Sequence, residues 1–355
     1  MTFLLSLCSR TNGRAHGSYD TLIHSPYLDT LPSPDRLRTP LHFSTEELDA
    51  LKGTNLYGAT IDRRRVWEAE WEQCLADVST INAVLGKELT WYGPLGDYLL
   101  GLTDSAQRER YLTASTYLSS RAFPSTLLST PPSLLQSPHS YPVLIPGVDS
   151  LNHARAQPVS WVVSHTPSTA KSQGTISLVA RTAVDGGAEI FNNYGAKPNS
   201  ELLLGYGFTL PNTPDDTIVL KIGGAAGDDA PQHEVGRAAR GADSVWDAIA
   251  EALKAQEDGE EEVPEWQIVL DSADMLRSMT EALLARLPSV PVSGAVRADI
   301  ADMIGHYVSG QHEVLQDLVE SANSREADGV AMARREGVVV QLEGDDVLEG
   351  AVDVG

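Results

Sequence analysis

Three short segments hold most of the side chains that could do chemistry. The first is Ser120-Arg121-Ala122-Phe123. The second is Ile145-Pro146-Gly147-Val148-Asp149-Ser150-Leu151-Asn152-His153. The third runs from Phe191-Asn192-Asn193-Tyr194-Gly195 through Asn199-Ser200-Glu201-Leu202-Leu203-Leu204-Gly205 to Tyr206-Gly207-Phe208. Between them they supply a guanidinium, a carboxylate, an amide, an imidazole and phenol hydroxyls, which bind and orient polar ligands. Taken one at a time, each has an ordinary structural reading. Asn152-His153 reads as a turn, Tyr194-Gly195 as a strand end, Tyr206 and Phe208 as core aromatics, and Arg121 as a surface ion-pair residue. The sequence lacks a Walker loop, a strand followed by GxGxxG, an HExxH helix and a GxSxG elbow, so nothing points to a nucleoside triphosphatase, a zinc protease or a serine hydrolase.

The elements that must position these segments follow from pattern. A short helix is expected over residues 1–10, then a Gly/Ser/Pro-rich stretch from Asn12 to Pro40. Ser44-Thr45-Glu46-Glu47 reads as a helix start with Ser44 as N-cap, continued by Leu48 and Leu51 and ended at Gly53. Helical spacing continues from Ile61 to Val84, through Val66, Trp67, Trp71, Leu75 and Val78, and again from Ser105 to Arg121. Pro124 to Pro142 reads as a loop. Short β runs follow at Val143–Ile145, Val159–Val163, Thr175–Ala180, Glu189–Phe191 and Ile218–Ile222. Helical pattern returns from about Val235. The order of helices, a small β region and then helices predicts an α+β fold rather than a doubly wound parallel sheet.

Composition narrows the function classes. The chain has 355 residues, 42% hydrophobic, with 26 basic and 49 acidic side chains and a net charge of −23. A length of this size predicts two domains. The excess of acids argues against a general nucleic-acid binder, which needs clustered Lys and Arg. Residues 1–220 carry 16 basic and 21 acidic groups, net −5, whereas residues 221–355 carry 10 and 28, net −18. Part of that excess is the run Glu257-Asp258-Gly259-Glu260-Glu261-Glu262, and part is the tail from Glu343. Such runs read as solvated loops, or as attraction for a basic protein substrate. The two cysteines, Cys8 and Cys74, cannot build a disulfide scaffold or a four-ligand zinc site. The first residues do not read as a signal peptide, and no stretch approaches the length of a membrane helix. The expectation is a soluble, monomeric, cytoplasmic or nuclear protein with no metal and no membrane or nucleic-acid partner.

The three segments together, in this order and spacing, resemble the SET-domain methyltransferases, and within them the type of the Rubisco large-subunit and ribosomal-protein lysine methyltransferases. That group reads S-R-A-F, then D-x-x-N-H after an apolar-Pro strand, then a tyrosine about 40 residues on, then an E-L-L-L-x-Y-G-F segment. Ser25-Pro26-Tyr27-Leu28-Asp29-Thr30-Leu31-Pro32 and Leu51-Lys52-Gly53-Thr54 resemble two upstream fragments. Tyr307 with Gly310-Gln311 and Val314-Leu315 resembles a helix of the substrate-binding domain. The resemblance implies a SET-domain β-fold over residues 1–220, with a helical insertion at about 18–118. An all-helical substrate-binding-like domain would follow over residues 221–355. It implies S-adenosylmethionine as cofactor and a protein substrate, with acidity suited to a basic target such as a ribosomal protein. Tyr194 matches the tyrosine at the methyl-transfer centre. Arg121, Phe123, Asp149, Asn152 and His153 match cofactor contacts, and Tyr206 and Phe208 match the aromatic wall of the lysine channel.

The residue types suit that reaction. A lysine of pKa ~10.4 must lose its proton before it attacks a sulfonium methyl group in line. Tyrosine hydroxyls orient an amine without adding formal charge, and an aromatic channel suits the lysine stem. A complete SET domain also begins with strands carrying a Gly-x-Gly turn. No such segment precedes Leu4, so the chain is expected to start in the first helix after those strands. Two other readings stay open: a catalytically inactive SET-like protein-binding module, and a protein-histidine methyltransferase of the same fold.

Overall fold

The structure is a computed structural model of the chain, and it describes residues 25–84, 104–129, 131–166, 173–222, 230–256, 263–292 and 294–341. The expected helix at 1–10, residues 12–24 of the stretch expected from Asn12 to Pro40, the acidic run 257–262 and the tail from 343 lie outside the described residues. The chain divides into two compact units, each made of separate stretches. The first comprises Met1–Leu51, Leu56–Pro211 and Val290–Tyr307, and the second Lys52–Asn55, Asn212–Ser289 and Val308–Gly355.

In the first unit, helix α1 (Ser25–Leu28) precedes helix α2 (Thr45–Asp49). The start of α2 is a complete capping box. Ser44 Oγ accepts from the Glu47 amide at 3.2 Å, and Glu47 Oε2 accepts from the Ser44 amide at 2.9 Å. This satisfies two of the amides a helix start leaves without partners. The same carboxylate receives Arg297, with Nε to Oε1 at 2.7 Å and Nη2 to Oε2 at 2.8 Å. Glu47 is 1% exposed, so this is a buried pair with its hydrogen bonds filled. Those bonds hold its carboxyl at about 2, well below the usual range. Burial and the nearby Arg297 likewise hold His42 at about 4, and its Nε2 lies 2.9 Å from Thr116 Oγ1.

A carboxyl lowered in the folded chain contributes stability above its unfolded pKa, and that stability is lost as pH falls through the folded value. Glu47→Gln is therefore expected to melt roughly 5 °C below the wild type at pH 7. The gap should close between pH 4.5 and about 2. A gap that stays constant over this window, measured by thermal melts, would assign the effect to something other than the carboxylate.

Helices α3 (Asn55–Val84) and α4 (Asp104–Arg121) follow. Trp67 and Trp71, four apart on α3, pack on Tyr111 of α4 with ring centroids 6.0 and 5.1 Å apart. Helix α3 begins before Ile61 because Leu56 and Thr60 are buried, and the Leu56 amide donates to the Tyr307 hydroxyl at 3.3 Å. The strands form antiparallel pairs: β1 (Phe123–Pro124) with β2 (Pro142–Val143), and β3 (Val159–Thr166) with β4 (Gln173–Ala180). Register runs from Val159 opposite Ala180 to Thr166 opposite Gln173. The run Glu189–Phe191 is not a strand. Beside it, a single parallel bridge joins His153 to Asn192. Helix α5 (Asn199–Tyr206) closes the site-bearing part, and helix α8 (Ala298–Arg335) begins in this unit.

The second unit pairs β5 (Thr217–Lys221) with β6 (Gln232–Gly236), beside α6 (Ala242–Gln256), α7 (Glu265–Leu284) and the later part of α8. Residues 221–355 are therefore not all helical. Strand β6 carries one buried apolar side chain, Val235, and pairing with β5 decides its state where local pattern does not. Ile218 and Leu220 point inward from β5 and meet Val245 and Ile249 of α6, Leu276 of α7, and Val314, Leu315 and Leu318 of α8. Gly310 admits the buried Asp216: a Cβ there would lie 2.0 Å from Asp216 Oδ2. Gln311 Nε2 donates to the Thr217 carbonyl at 3.0 Å. Gly310, Gln311, Val314 and Leu315 thus have packing roles within one helix face. No helix among the described residues is long and apolar enough to cross a membrane.

Candidate active site

The site grows from a turn. Pro146-Gly147 reverses the chain, with Gly147 at φ +82°, a conformation that favours glycine. The following 3-10 turn, Val148–Ser150, swings Asp149 inward. The side chain of Asp149 is 2% exposed. Two groups converge on it. Arg121, the last residue of α4, brings Nη1 to 3.3 Å from the Asp149 carbonyl and 3.4 Å from Oδ2. The Tyr27 hydroxyl of α1 donates to Oδ2 at 2.6 Å. Burial and that carboxylate push the Tyr27 phenol well above its ordinary pKa.

Just beyond, the chain around Asn152-His153 joins the segment around Asn192. The Asn192 amide donates to the Asn152 carbonyl at 2.7 Å, and the Ala154 amide to the Asn192 carbonyl at 2.9 Å. This bridge fixes Tyr194 from two ends. Its backbone amide donates to His153 Nδ1 at 3.0 Å, and its hydroxyl donates to the Leu151 carbonyl at 2.9 Å. An accepting Nδ1 places the ring proton of a neutral His153 on Nε2. The two rings stack, with centroids 5.1 Å apart at 24°.

Helix α5 supplies the rest of the aromatic wall. It ends at Tyr206 because Gly207 takes φ +80° and returns its amide to the Leu202 and Leu203 carbonyls at 3.0 and 3.1 Å. That reversal sets Tyr206 and Phe208 with ring centroids 6.2 Å apart. Tyr194 lies 5.0 Å from Tyr206 and 6.4 Å from Phe208. Burial raises the Tyr194 phenol, helped by Tyr206 and Asp149 and opposed by Arg121. Burial, then Glu201, raises Tyr206. Both remain uncharged hydroxyls at neutral pH, able to orient an amine without adding charge.

A cavity of about 740 Å³ opens on this assembly. Arg121, Asp149, Asn152, Tyr194, Tyr206 and Phe208 all line it. His153 does not; it is 7% exposed and sits behind Tyr194. Asn152 is held by Glu189, its Nδ2 donating to Oε1 at 2.6 Å. Phe123 lies elsewhere: it packs edge-on against Trp161 at 5.4 Å and lines a separate cavity of about 370 Å³. Sequence reasoning gave no role to Tyr27, Thr39 or Glu189. Tyr27 lay within the fragment Ser25–Pro32, so a signal existed, whereas Thr39 and Glu189 carry none that spacing could reveal. Among the described residues no group of three or more His, Cys, Asp or Glu is placed to hold a metal ion.

No protein-family model matches the chain. A ribosomal lysine N-methyltransferase of Schizosaccharomyces pombe is 32% identical over 196 residues, covering 55% of this chain and 30% of that protein. Ribosomal lysine N-methyltransferase 1 of Saccharomyces cerevisiae is 32% identical over 215 residues, 56% of this chain and 34% of that protein. The chain thus spans about a third of the length of these curated relatives. Among solved structures, Rubisco LSMT bound to AdoMet superposes with a TM-score of 0.61 at 17% identity, covering 94% of this chain and 78% of that one. The SET domain of LSMT bound to lysine and AdoHcy gives 0.60 at 17% identity, covering 94% and 77%.

Proposed function

Starting from the SET-domain fold that this chain carries, we propose that it is an S-adenosylmethionine-dependent protein-lysine N-methyltransferase. The observation that carries the proposal is Tyr194, pinned at both ends and facing Tyr206 and Phe208 at the edge of a cavity lined by Arg121 and Asp149. The curated relatives that are lysine methyltransferases support the reaction class.

The residues fit the cofactor. A cavity of about 740 Å³ is of the size that holds a small-molecule ligand. Its wall offers a guanidinium for a carboxylate and a carboxylate oxygen for an ammonium, the two charges of an amino-acid headgroup. Arg121, Asp149 and Asn152 would hold that part, and His153 would hold Tyr194 in place. Phe123, packed on Trp161, would act only by supporting the end of α4. When bound, the cofactor supplies the methyl group on a positively charged sulfur. Tyr194 and Tyr206 orient the amine, and with Phe208 they exclude water from it.

The net charge of −18 over residues 221–355 supports a basic protein substrate, such as a ribosomal protein, approached by electrostatic attraction. The same reading puts the enzyme in the cytoplasm or nucleus, in keeping with a chain of two cysteines. An actin-histidine N-methyltransferase of Drosophila melanogaster, 23% identical over 198 residues, keeps histidine as a second target residue. Titration calorimetry with S-adenosylmethionine, followed by labelled methyl transfer to ribosomal proteins and mass spectrometry of the product, tests all of this. Micromolar cofactor binding and methyl-lysine are expected. Methyl-histidine would replace the target residue, and no cofactor binding would remove the enzyme reading in favour of a binding module.

A further inference from the structure

The Pro/Ser-rich loop between Pro124 and Pro142 has no part in the methyl-transfer reading, yet it joins two residues of the site. Strand β1 starts just after Arg121, and β2 leads through Pro146-Gly147 to Asp149. The loop carries a turn at Ser137-Pro138-His139-Ser140. The Ser137 carbonyl accepts from the Ser140 amide at 2.9 Å and from its hydroxyl at 2.8 Å, and the Ser137 amide donates to Ser140 Oγ at 3.0 Å. Proline suits the second position of such a turn. Ser137 is exposed, and its own hydroxyl makes no hydrogen bond among the described residues. Ser137 lines the smaller cavity, of about 370 Å³, together with Arg63 and Glu70 of α3 and Ser115 of α4. Arg63 and Glu70 are exposed, and neither has an ion-pair partner among the described residues. They stand two helical turns apart, about 10 Å along the axis. In a chain of net charge −23, this guanidinium has been given no carboxylate.

We propose that Ser137 is a phosphorylation site whose phosphate is received by Arg63. The Ser137 hydroxyl attacks the γ-phosphorus of a nucleoside triphosphate held by a kinase that reads proline after its target. The Oγ–P bond forms, the bond to the bridging oxygen breaks, and the nucleoside diphosphate leaves. The hydroxyl proton passes to the kinase's catalytic carboxylate. Pro138 fixes the backbone next to Ser137, and the turn rests on exposed bonds within Ser137–Ser140, so it opens locally at little cost. Other such pairs suit a kinase less. Thr39 and Thr213 are buried, and Ser33 is bonded to the Asp35 carboxylate, which would repel a second anion. Phosphoserine carries a charge near −2 and three acceptor oxygens. A guanidinium meets these in a bidentate pair, and the Ser115 hydroxyl adds a donor on the same wall. Glu70 repels the phosphate and so directs it toward the Arg63 end. Seated there, it pins the loop to α3, and with the loop the β1–β2 pair between Arg121 and Asp149.

The test treats the full chain with a purified proline-directed kinase and ATP, beside Ser137→Ala, and maps the phosphate by mass spectrometry. Modification at Ser137 is expected, and its absence overturns the proposal. The phosphorylated chain is then titrated by phosphorus NMR as wild type, Arg63→Gln and Glu70→Gln. The second phosphate pKa, ordinarily near about 6, should lie about half a unit lower in the wild type than in Arg63→Gln. Glu70→Gln should lower it further. Imidazole also changes charge in this range, so the comparison is repeated with His139→Gln; Tyr141, the remaining titratable group on the wall, is common to all of these chains. Equal values in wild type and Arg63→Gln overturn capture by Arg63. Hydrogen exchange over residues 133–142 should slow severalfold on phosphorylation in the wild type and stay unchanged in Arg63→Gln. Equal slowing in both, or none in either, overturns the pinning of the loop. None of these readouts requires methyl transfer, so their failure leaves the methyltransferase reading standing, and failure of that reading leaves them unaltered.

Discussion

Tyr194→Phe is expected to reduce methyl transfer by about 10²–10³-fold while leaving the affinity for S-adenosylhomocysteine within about twofold. The substitution is selective because of what it keeps. Phenylalanine retains the stack on His153 and the packing on Tyr206, and the backbone amide still donates to His153 Nδ1. Only the hydroxyl is lost, together with its donation to the Leu151 carbonyl. If that hydroxyl orients the amine, turnover falls while the affinity for the cofactor, which Arg121, Asp149 and Asn152 are proposed to hold, stays the same. Single-turnover kinetics beside calorimetry separates the two quantities. Unchanged turnover would show that Tyr194 is a packing residue and that the amine is oriented elsewhere.

Gly207→Ala is expected to damage folding and function together. At φ +80° an alanine is strained, and its Cβ would fall 2.9 Å from the Arg38 carbonyl carbon and 3.0 Å from the Thr39 amide nitrogen. Both are backbone atoms, so no side chain can swing aside. Strain and overpacking together should destabilise the protein by about 2–4 kcal/mol. The chain that must move carries Tyr206 and Phe208 on one side and Thr39 on the other, so cofactor affinity and turnover should both drop. Gly207→Asn separates the two causes, because asparagine tolerates this backbone region but still has a Cβ. Recovery of the melting temperature by asparagine would mean that conformation, not close approach, is what Gly207 provides.

Some of this was legible before the fold was known. The capping box at Ser44 and Glu47 is local chemistry within four residues, and it forms as read. The helix to Arg121 and the β3–β4 hairpin follow from patterns that packing reinforces. The grouping of Tyr194, Tyr206 and Phe208 came only from order and spacing resembling a family, since each aromatic alone reads as core. What stayed hidden is long-range. Glu189–Phe191 has the composition of a strand but finds a single bridge at Asn192 instead of a ladder. Phe123 sits two residues from Arg121, yet the chain leaves α4 at that point and turns it toward Trp161. The partnership of Tyr27 with Asp149 spans 122 positions, and no local pattern encodes it.

The pair between Glu47 and Arg297 spans 250 positions, and it has a consequence for how the molecule is made. Residues 290–307 belong to the unit that carries the aromatic site, although residues 212–289 of the other unit come before them in the chain. During synthesis from the N-terminus, the capping box of α2 can close early, but its carboxylate waits for its guanidinium until most of the protein has left the ribosome. Closing so long a loop is entropically slow to be rewarded. The site-bearing unit is therefore begun first and finished late. A chain cut anywhere before Arg297 would take from that unit a support that lies nowhere near the site in sequence.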